Sequence, residues 1–155
     1  MGEINNFDIP RLSELIAQDE DLVLEAIEFA PHPVHKVPTY FFRMVHAVSK
    51  KPMGQINLRV GSSAHIRLYA GHIGYSVDVV HRGNRYASRA LRSLVPLARD
   101  LGLGPLCITC DPENIASRRT CELAGATLAE IVDVPETCII RRTGHPRKCR
   151  YLLTL

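Results

Sequence analysis

Hydrophobic positions change period several times along the chain, and each change marks an expected element. From Ile9 to Ala30, apolar Leu12, Leu15, Ile16, Val23, Ala26 and Ile27 recur at helical spacing, which predicts two short helices broken near Gln18 to Asp21. Pro31, Pro33 and Pro38 forbid helix and mark a connector. Tyr40 to Val48 and Gly54 to Val60 are β-branched and aromatic runs separated by Ser49-Lys50-Lys51-Pro52, the pattern of an antiparallel hairpin. Ile73, Tyr75, Val77 and Val79 then alternate with Gly74, Ser76 and Asp78, as a half-buried strand requires. After a turn at His81 to Asn84, residues Ala87, Ala90, Leu91, Leu94, Ala98 and Leu101 share one face of a helix that Pro96 should kink and Gly102 should close. Leu106 to Cys110 reads as a strand, Asn114 to Ala124 as a helix ending at Gly125, and Leu128 to Val134 and Cys149 to Leu155 as two further strands. The order implies an α/β fold class: antiparallel N-terminal strands, then β-α-β-α-β and a C-terminal strand, a mixed sheet with helices on both faces.

Length and composition narrow the class. A chain of 155 residues fits a single domain over 1–155, and 46% apolar against 23% charged residues is enough to form a real core. No stretch is long and apolar enough to cross a bilayer, and the start Met1-Gly2-Glu3-Ile4-Asn5-Asn6 lacks the basic and apolar runs of a secretory signal, so the expected location is cytoplasmic with no membrane partner. A formal charge of +3 is too mild to call for nucleic acid. The basic residues cluster, however. Arg82, Arg85, Arg89 and Arg92, and the pair Arg118 and Arg119, suit a phosphorylated ligand, whereas Arg141 to Arg150 fits a solvated loop equally well. Five cysteines, an odd count, point to free thiols. Cys107 and Cys110 have C-x-x-C spacing but lie in an expected buried strand, and no second such motif completes a metal site, so no metal is expected.

Two strand-to-helix junctions carry the candidate chemistry. The turn Arg82-Gly83-Asn84-Arg85-Tyr86-Ala87 leads straight into a helix start, where unpaired backbone N–H groups and the positive dipole end receive anions. A plain connection would look similar. Asp111-Pro112-Glu113-Asn114-Ile115-Ala116-Ser117 is the second junction; capping alone would select Asn114 three residues before Ser117, yet the same amide can hold a ligand's amide groups.

These two junctions together resemble the GNAT superfamily, whose cofactor turn reads Arg or Gln, two residues, Gly, one residue, then Gly or Ala. Arg82 matches the first position and Ala87 the last, while Arg85 stands where the pattern has Gly. Asn114, Ser117 and Gly125 match the second motif. The sequence is closer still to a group of small bacterial acetyltransferases, through Val37-Pro38-Thr39-Tyr40-Phe41, Gly54-Gln55-Ile56-Asn57-Leu58-Arg59, Gly71-His72-Ile73-Gly74-Tyr75-Ser76-Val77 and Ile108 through Ser117. The resemblance implies a GNAT fold and an N-acetyltransferase that uses acetyl-CoA as cosubstrate. It implies that Val77 pairs its backbone with the pantetheine arm, that Gly83, Asn84, Arg85, Tyr86, Ala87 and Ser88 with Arg82 hold the pyrophosphate, and that Asn114 contacts the pantetheine.

The catalytic positions depart from the family. Cys121 stands where many members have the Tyr that protonates the departing thiolate, and Thr109 where some have a general-base Glu. His72 is the replacement base by its ordinary pKa, Cys121 the residue at the acid position, and Tyr75 and Tyr151 further candidates for the acid; a structural role competes for each. The expected reaction is direct attack of an amine, from a small molecule or a peptide, on the thioester carbonyl. A degenerate acyl-CoA-binding module without turnover is the alternative, and a flavodoxin-like or Rossmann domain is disfavoured because the glycine turn follows a hairpin and a late strand. A homodimer is compatible with the sequence.

Overall fold

The computed structural model describes residues 12–155. A 3-10 turn, Leu12–Glu14, precedes strands β1 (Ile16–Asp19), β2 (Leu22–Pro31), β3 (Pro38–His46), β4 (Pro52–Arg59) and β5 (Ile73–Val77), which form one antiparallel sheet in chain order. Helices α1 (Tyr86–Ser93) and α2 (Val95–Asp100) lead to β6 (Leu106–Cys110), α3 (Ile115–Leu123), β7 (Thr127–Asp133), the short α4 (Ile139–Arg142) and β8 (Arg147–Leu153). The last three strands make a second antiparallel sheet in the order β6-β8-β7.

The two helices expected over Ile9 to Ala30 are strands instead, residues 9–11 lying outside the described part. The break expected at Gln18 to Asp21 is a tight turn, with Asp19 opposite Leu22 and Glu20 at φ 53°. Apolar spacing in so short a segment fits either period, and long-range pairing decides it: β2 lies along β3 from Leu22–His46 to Pro31–Pro38, and Leu22 and Leu24 reach the core on alternate positions. A bulge between Ala26 and Glu28 then turns Ile27 outward.

The hairpin β3–β4 forms as expected, but β3 stops at His46. There the imidazole Nδ1 accepts the N–H groups of Val48 and Ser49 at 3.2 Å each, closing the turn that carries Lys50 at φ 62°. Pro96 divides the expected single helix into α1 and α2 and sits in the first turn of the latter, where its missing N–H leaves no intrahelical bond unmade. The continuous mixed sheet is likewise resolved as two antiparallel sheets. They are fastened at one point, where the His72 N–H donates to the Cys107 carbonyl at 2.7 Å and the Cys107 N–H donates to His72 Nδ1 at 2.9 Å. Gly71, at φ 76°, permits that approach: a Cβ there would stand 3.0 Å from the Cys107 carbonyl oxygen. Beyond this fastening β5 and β6 have no ladder between them, and the gap between their C-terminal ends is the mouth of the site.

One core spans both sheets, including Leu22, Tyr40, Ile56 and Leu58 from the first, Leu91 and Leu94 from α1 and its end, and Leu106, Ile108 and Tyr151 from the second. Helix α1 is tied to the β1–β2 turn by Arg89, which donates to Asp19 Oδ2 at 2.9 Å and Asp21 Oδ1 at 2.7 Å, and by the Tyr86 hydroxyl, which donates to Asp21 Oδ2 at 2.6 Å. No helix among the described residues is long and apolar enough to cross a membrane.

Candidate active site

The gap between β5 and β6 opens into two adjoining clefts. The first, of about 600 Å³, runs along β5 and past the N-termini of α1 and α3. Of the residues expected to hold a cofactor, Val77, Arg82, Gly83, Arg85, Tyr86, Ala87 and Asn114 line it. Asn84 and Ser88 do not. The Asn84 amide donates to the His81 carbonyl at 3.1 Å, and the buried Ser88 hydroxyl donates to the Arg85 carbonyl at 3.0 Å, so both brace the turn from behind.

Helix α1 starts without a side-chain cap, and its first backbone bond runs from the Arg89 N–H to the Arg85 carbonyl. The amides of Tyr86, Ala87 and Ser88 therefore have no intrahelical acceptor, which is the arrangement that receives a phosphate. Gly83, at φ 87°, has nothing within 4 Å of its would-be Cβ, so the backbone is open to a bulky anion. Arg85 adopts φ 61°, ψ 23°, a left-handed conformation that costs a non-glycine residue about 1–2 kcal/mol. This is the position where the GNAT pattern has glycine, and the backbone keeps the glycine conformation with arginine in place. Arg82 donates through Nε to the Val77 carbonyl at 3.0 Å, which fastens the turn to the end of β5. Ser76, Ala116, Ser117, Arg119 and Thr120 also line this cleft. Of these, Ser117 is a motif position and Arg119 belongs to a basic pair in the sequence; its neighbour Arg118 turns inward to the Tyr151 hydroxyl at 3.1 Å.

The second cleft, of about 440 Å³, lies across the β5–β6 gap from the first and includes Arg59, Gly74, Thr109, Asp111, His145 and Lys148 in its wall. Tyr75, Asn114 and Ser117 belong to both clefts. Asn114 caps α3 by accepting the Ser117 N–H at 3.1 Å, and the Ser117 hydroxyl meets the Tyr75 hydroxyl at 2.6 Å. Burial drives the Tyr75 phenol above its ordinary pKa, so it stands as a neutral donor at physiological pH. Ser117 was legible only as a motif position, and its pairing with Tyr75 joins residues 42 apart in sequence.

The expectation that His72 removes the acceptor's proton is not met by the geometry. Its ring is 2% exposed and lines neither cleft. Because Nδ1 accepts the Cys107 N–H, the neutral ring must carry its proton on Nε2, which faces Ser62 Oγ at 3.4 Å, and no lone pair is left for a substrate. Cys121, expected at the acid position, is fully buried beneath Tyr75 and lines neither cleft. Its hydrogen bond to Cys110, reinforced by burial, holds it as a thiol. Tyr151 is buried in the core. All five cysteines are free.

A histidine within the basic segment Arg141 to Arg150 occupies the second cleft. His145 Nδ1 lies 2.6 Å from Asp111 Oδ2, and Lys148 Nζ is 2.9 Å from the other carboxylate oxygen. Burial opposes ionisation of Asp111, but Lys148 and His145 outweigh it and keep its pKa below the usual value. Among the described residues no group of three or more His, Cys, Asp or Glu side chains is arranged to hold a metal.

The sequence model of the acetyltransferase (GNAT) domain matches residues 4–127. The chain therefore belongs to the GNAT acetyltransferase family. Among solved structures it is similar to an acetyltransferase of the GNAT family from Bacillus anthracis, at 20% identity and TM-score 0.57, covering 74% of this chain and 65% of that one. It is also similar to the microcin C7 self-immunity acetyltransferase MccE in complex with acetyl-CoA and AMP, at 18% identity and TM-score 0.58, covering 76% and 61%. A third is an acetyl transferase from Salmonella typhimurium that modifies the N-terminal serine of ribosomal protein L7/L12, at 18% identity and TM-score 0.57, covering 76% and 64%. The similarity thus extends over less than two thirds of each of these longer chains. No curated protein sequence matches this one.

Proposed function

We propose that this protein is an acyltransferase that moves the acetyl group of acetyl-CoA directly to an amine of a small molecule or a peptide. The observation that carries the reading is the meeting of two clefts at Tyr75, Asn114 and Ser117. One cleft ends in the unpaired amides of α1, flanked by Arg82, Arg85 and Arg119, which fits the pyrophosphate of a CoA thioester. The other admits the acceptor. Solved relatives whose names include acetyl-CoA, or the N-terminal serine of a ribosomal protein, favour the same donor and add a peptide amine to the candidate acceptors.

The chain's own groups divide the proton traffic. His145 gives its Nδ1 proton to the hydrogen bond with Asp111, which leaves the Nε2 lone pair to take a proton from the ammonium acceptor. At the junction the Tyr75–Ser117 hydroxyl pair supplies the proton for the departing sulfur. The amine nitrogen forms its bond to the carbonyl carbon as the carbon–sulfur bond breaks, the second proton it sheds restores the hydroxyl pair, and no enzyme thiol intervenes because Cys121 is neither exposed nor ionised.

Calorimetry with acetyl-CoA, followed by acetyl-CoA consumption over a panel of free amines and peptides, tests the reading. Micromolar-range binding, sequential kinetics and the absence of an acetyl adduct on Cys121 by mass spectrometry are expected, as is a loss of about 10²-fold in kcat for His145→Gln. Binding without consumption of any amine would favour the non-catalytic module, and ping-pong kinetics would overturn direct transfer.

A further inference from the structure

The wall of the acceptor cleft contains a buried positive charge without a carboxylate. Arg59, at the end of β4, is only 8% exposed, and none of the ion pairs among the described residues includes it. Its Nη1 donates to the Ala70 carbonyl at 2.8 Å and the Gly71 carbonyl at 2.9 Å, which fastens the π-helical turn Ile66–Ala70 to β4. That clasp accounts for one nitrogen of three. Nε is buried without a partner, and Nη2 finds none among the described residues.

The free nitrogen packs against the neighbouring strand: Nη2 stands 2.8 Å from where a Cβ of Gly74 would be, so only glycine on β5 admits the guanidinium there, one residue before Tyr75. Arg59 and Gly74 both line the acceptor cleft. Buried charge of this kind is costly unless a counter-charge completes it. The surrounding imidazoles cannot serve, for His35, which lines the cleft, and His65 are bonded to each other at 2.8 Å. Burial, with the charge of Arg59 adding to it, keeps His32, His35 and His65 below their ordinary pKa, so they are neutral hydrogen-bonding groups at physiological pH.

We infer that the stretch of acceptor-cleft wall formed by Arg59 beside Gly74 is an anion subsite, and that the acceptor amine carries a carboxylate or phosphate that seats against the guanidinium there. The inference rests on the acetyl-transfer reading and assigns the chemical class of its acceptor. The anion accepts from Nη2, the guanidinium nitrogen that the clasp leaves uncommitted, in a charge-assisted hydrogen bond. Because Gly74 adjoins Tyr75, the anionic group lies a short distance along the acceptor from the reacting nitrogen. An acidic side chain next to a peptide N-terminus has that form, as does the carboxylate of an amino acid.

Matched acceptors test it. Wild-type protein is assayed with acetyl-CoA on tetrapeptides Ser-Glu-Glu-Glu and Ser-Gln-Gln-Gln, each amidated at the C-terminus, and on glutamate against glutamine amide. Charge-assisted hydrogen bonds should favour the acidic member of at least one pair by about tenfold to a hundredfold in kcat/KM. Arg59→Met should abolish the preference, but it also removes the clasp and can unfold the protein. Gly74→Ala is the second variant: it keeps Arg59 and an unstrained backbone, and its Cβ, 2.8 Å from the present position of Nη2, pushes that nitrogen out of place. It should reduce the preference severalfold or more while leaving acetyl-CoA affinity unchanged. Equal rates on acidic and neutral members, or a preference that persists undiminished in Gly74→Ala, would overturn the subsite and leave acetyl transfer standing. Failure of the wild-type protein to consume acetyl-CoA with any amine would overturn the underlying reading, and the subsite with it.

Discussion

The hydroxyls of Tyr75 and Ser117 lie 2.6 Å apart across the gap between β5 and α3. Each comes from a different sheet-to-helix junction, and the contact stands where the two clefts share their walls. Tyr75→Phe and Ser117→Ala should each lower kcat by about 10²-fold, with acetyl-CoA affinity within a factor of a few, because the pair acts on the leaving sulfur and not on the pyrophosphate. The double variant should cost little more than either single one, since each removes the same proton path. Steady-state kinetics and calorimetry check this; additive losses would show that the hydroxyls act separately.

Arg85 holds a left-handed conformation that glycine adopts without strain. Arg85→Gly should therefore preserve or raise stability, by up to about 1 kcal/mol, while weakening CoA binding through the lost guanidinium. Gly83→Val should instead lower stability: with open space around the would-be Cβ but φ at 87°, it strains the turn, and it weakens acetyl-CoA through backbone geometry and not through a clash. Thermal unfolding together with calorimetric affinity separates the two effects. Unchanged affinity in folded Gly83→Val would place the pyrophosphate elsewhere.

Four histidines sit with depressed pKa values: His32, His65 and His72, and His35, which burial and the charge of Arg59 bring down to about 4. In the unfolded chain each titrates near 6.5, so between pH 6.5 and about 4 the unfolded state binds more protons. Their contribution is fully present above pH 6.5 and is lost as pH falls toward 4, and the urea midpoint should drop accordingly. His35→Asn should flatten the slope. A midpoint constant from pH 7 to 5 would contradict the burial of these rings.

His72→Ala should destabilise the protein by about 1–3 kcal/mol, because it leaves the Cys107 N–H without its acceptor and loosens the one fastening between the sheets. His72→Asn, whose amide oxygen can replace Nδ1, should recover part of that loss. Denaturant unfolding measures both, and a stability loss below a few tenths of a kcal/mol in His72→Ala would remove the clasp role.

Local chemistry by itself determined the elements whose signals are short in range. The hairpin of β3 and β4 follows from β-branched runs on either side of a proline turn, α3 from Asn114 as cap and Gly125 at φ 92° past its end, and the cofactor turn from small residues leading into an uncapped helix. The segment 12–31 fits helix and strand alike in its short apolar run, and the arbiter is tertiary pairing: β2 lies against β3 along its length, and β1 folds back on β2. Proton-transfer chemistry was decided wholly in three dimensions. Of two histidines with the same intrinsic chemistry, His72 has its Nδ1 lone pair taken by a backbone N–H and is sealed between sheets, whereas His145 sets its Nδ1 against the Asp111 carboxylate and its ring at the cleft. The partner at one ring nitrogen sets what the other can do, and that partner lies 35 residues away from His72 and 34 from His145.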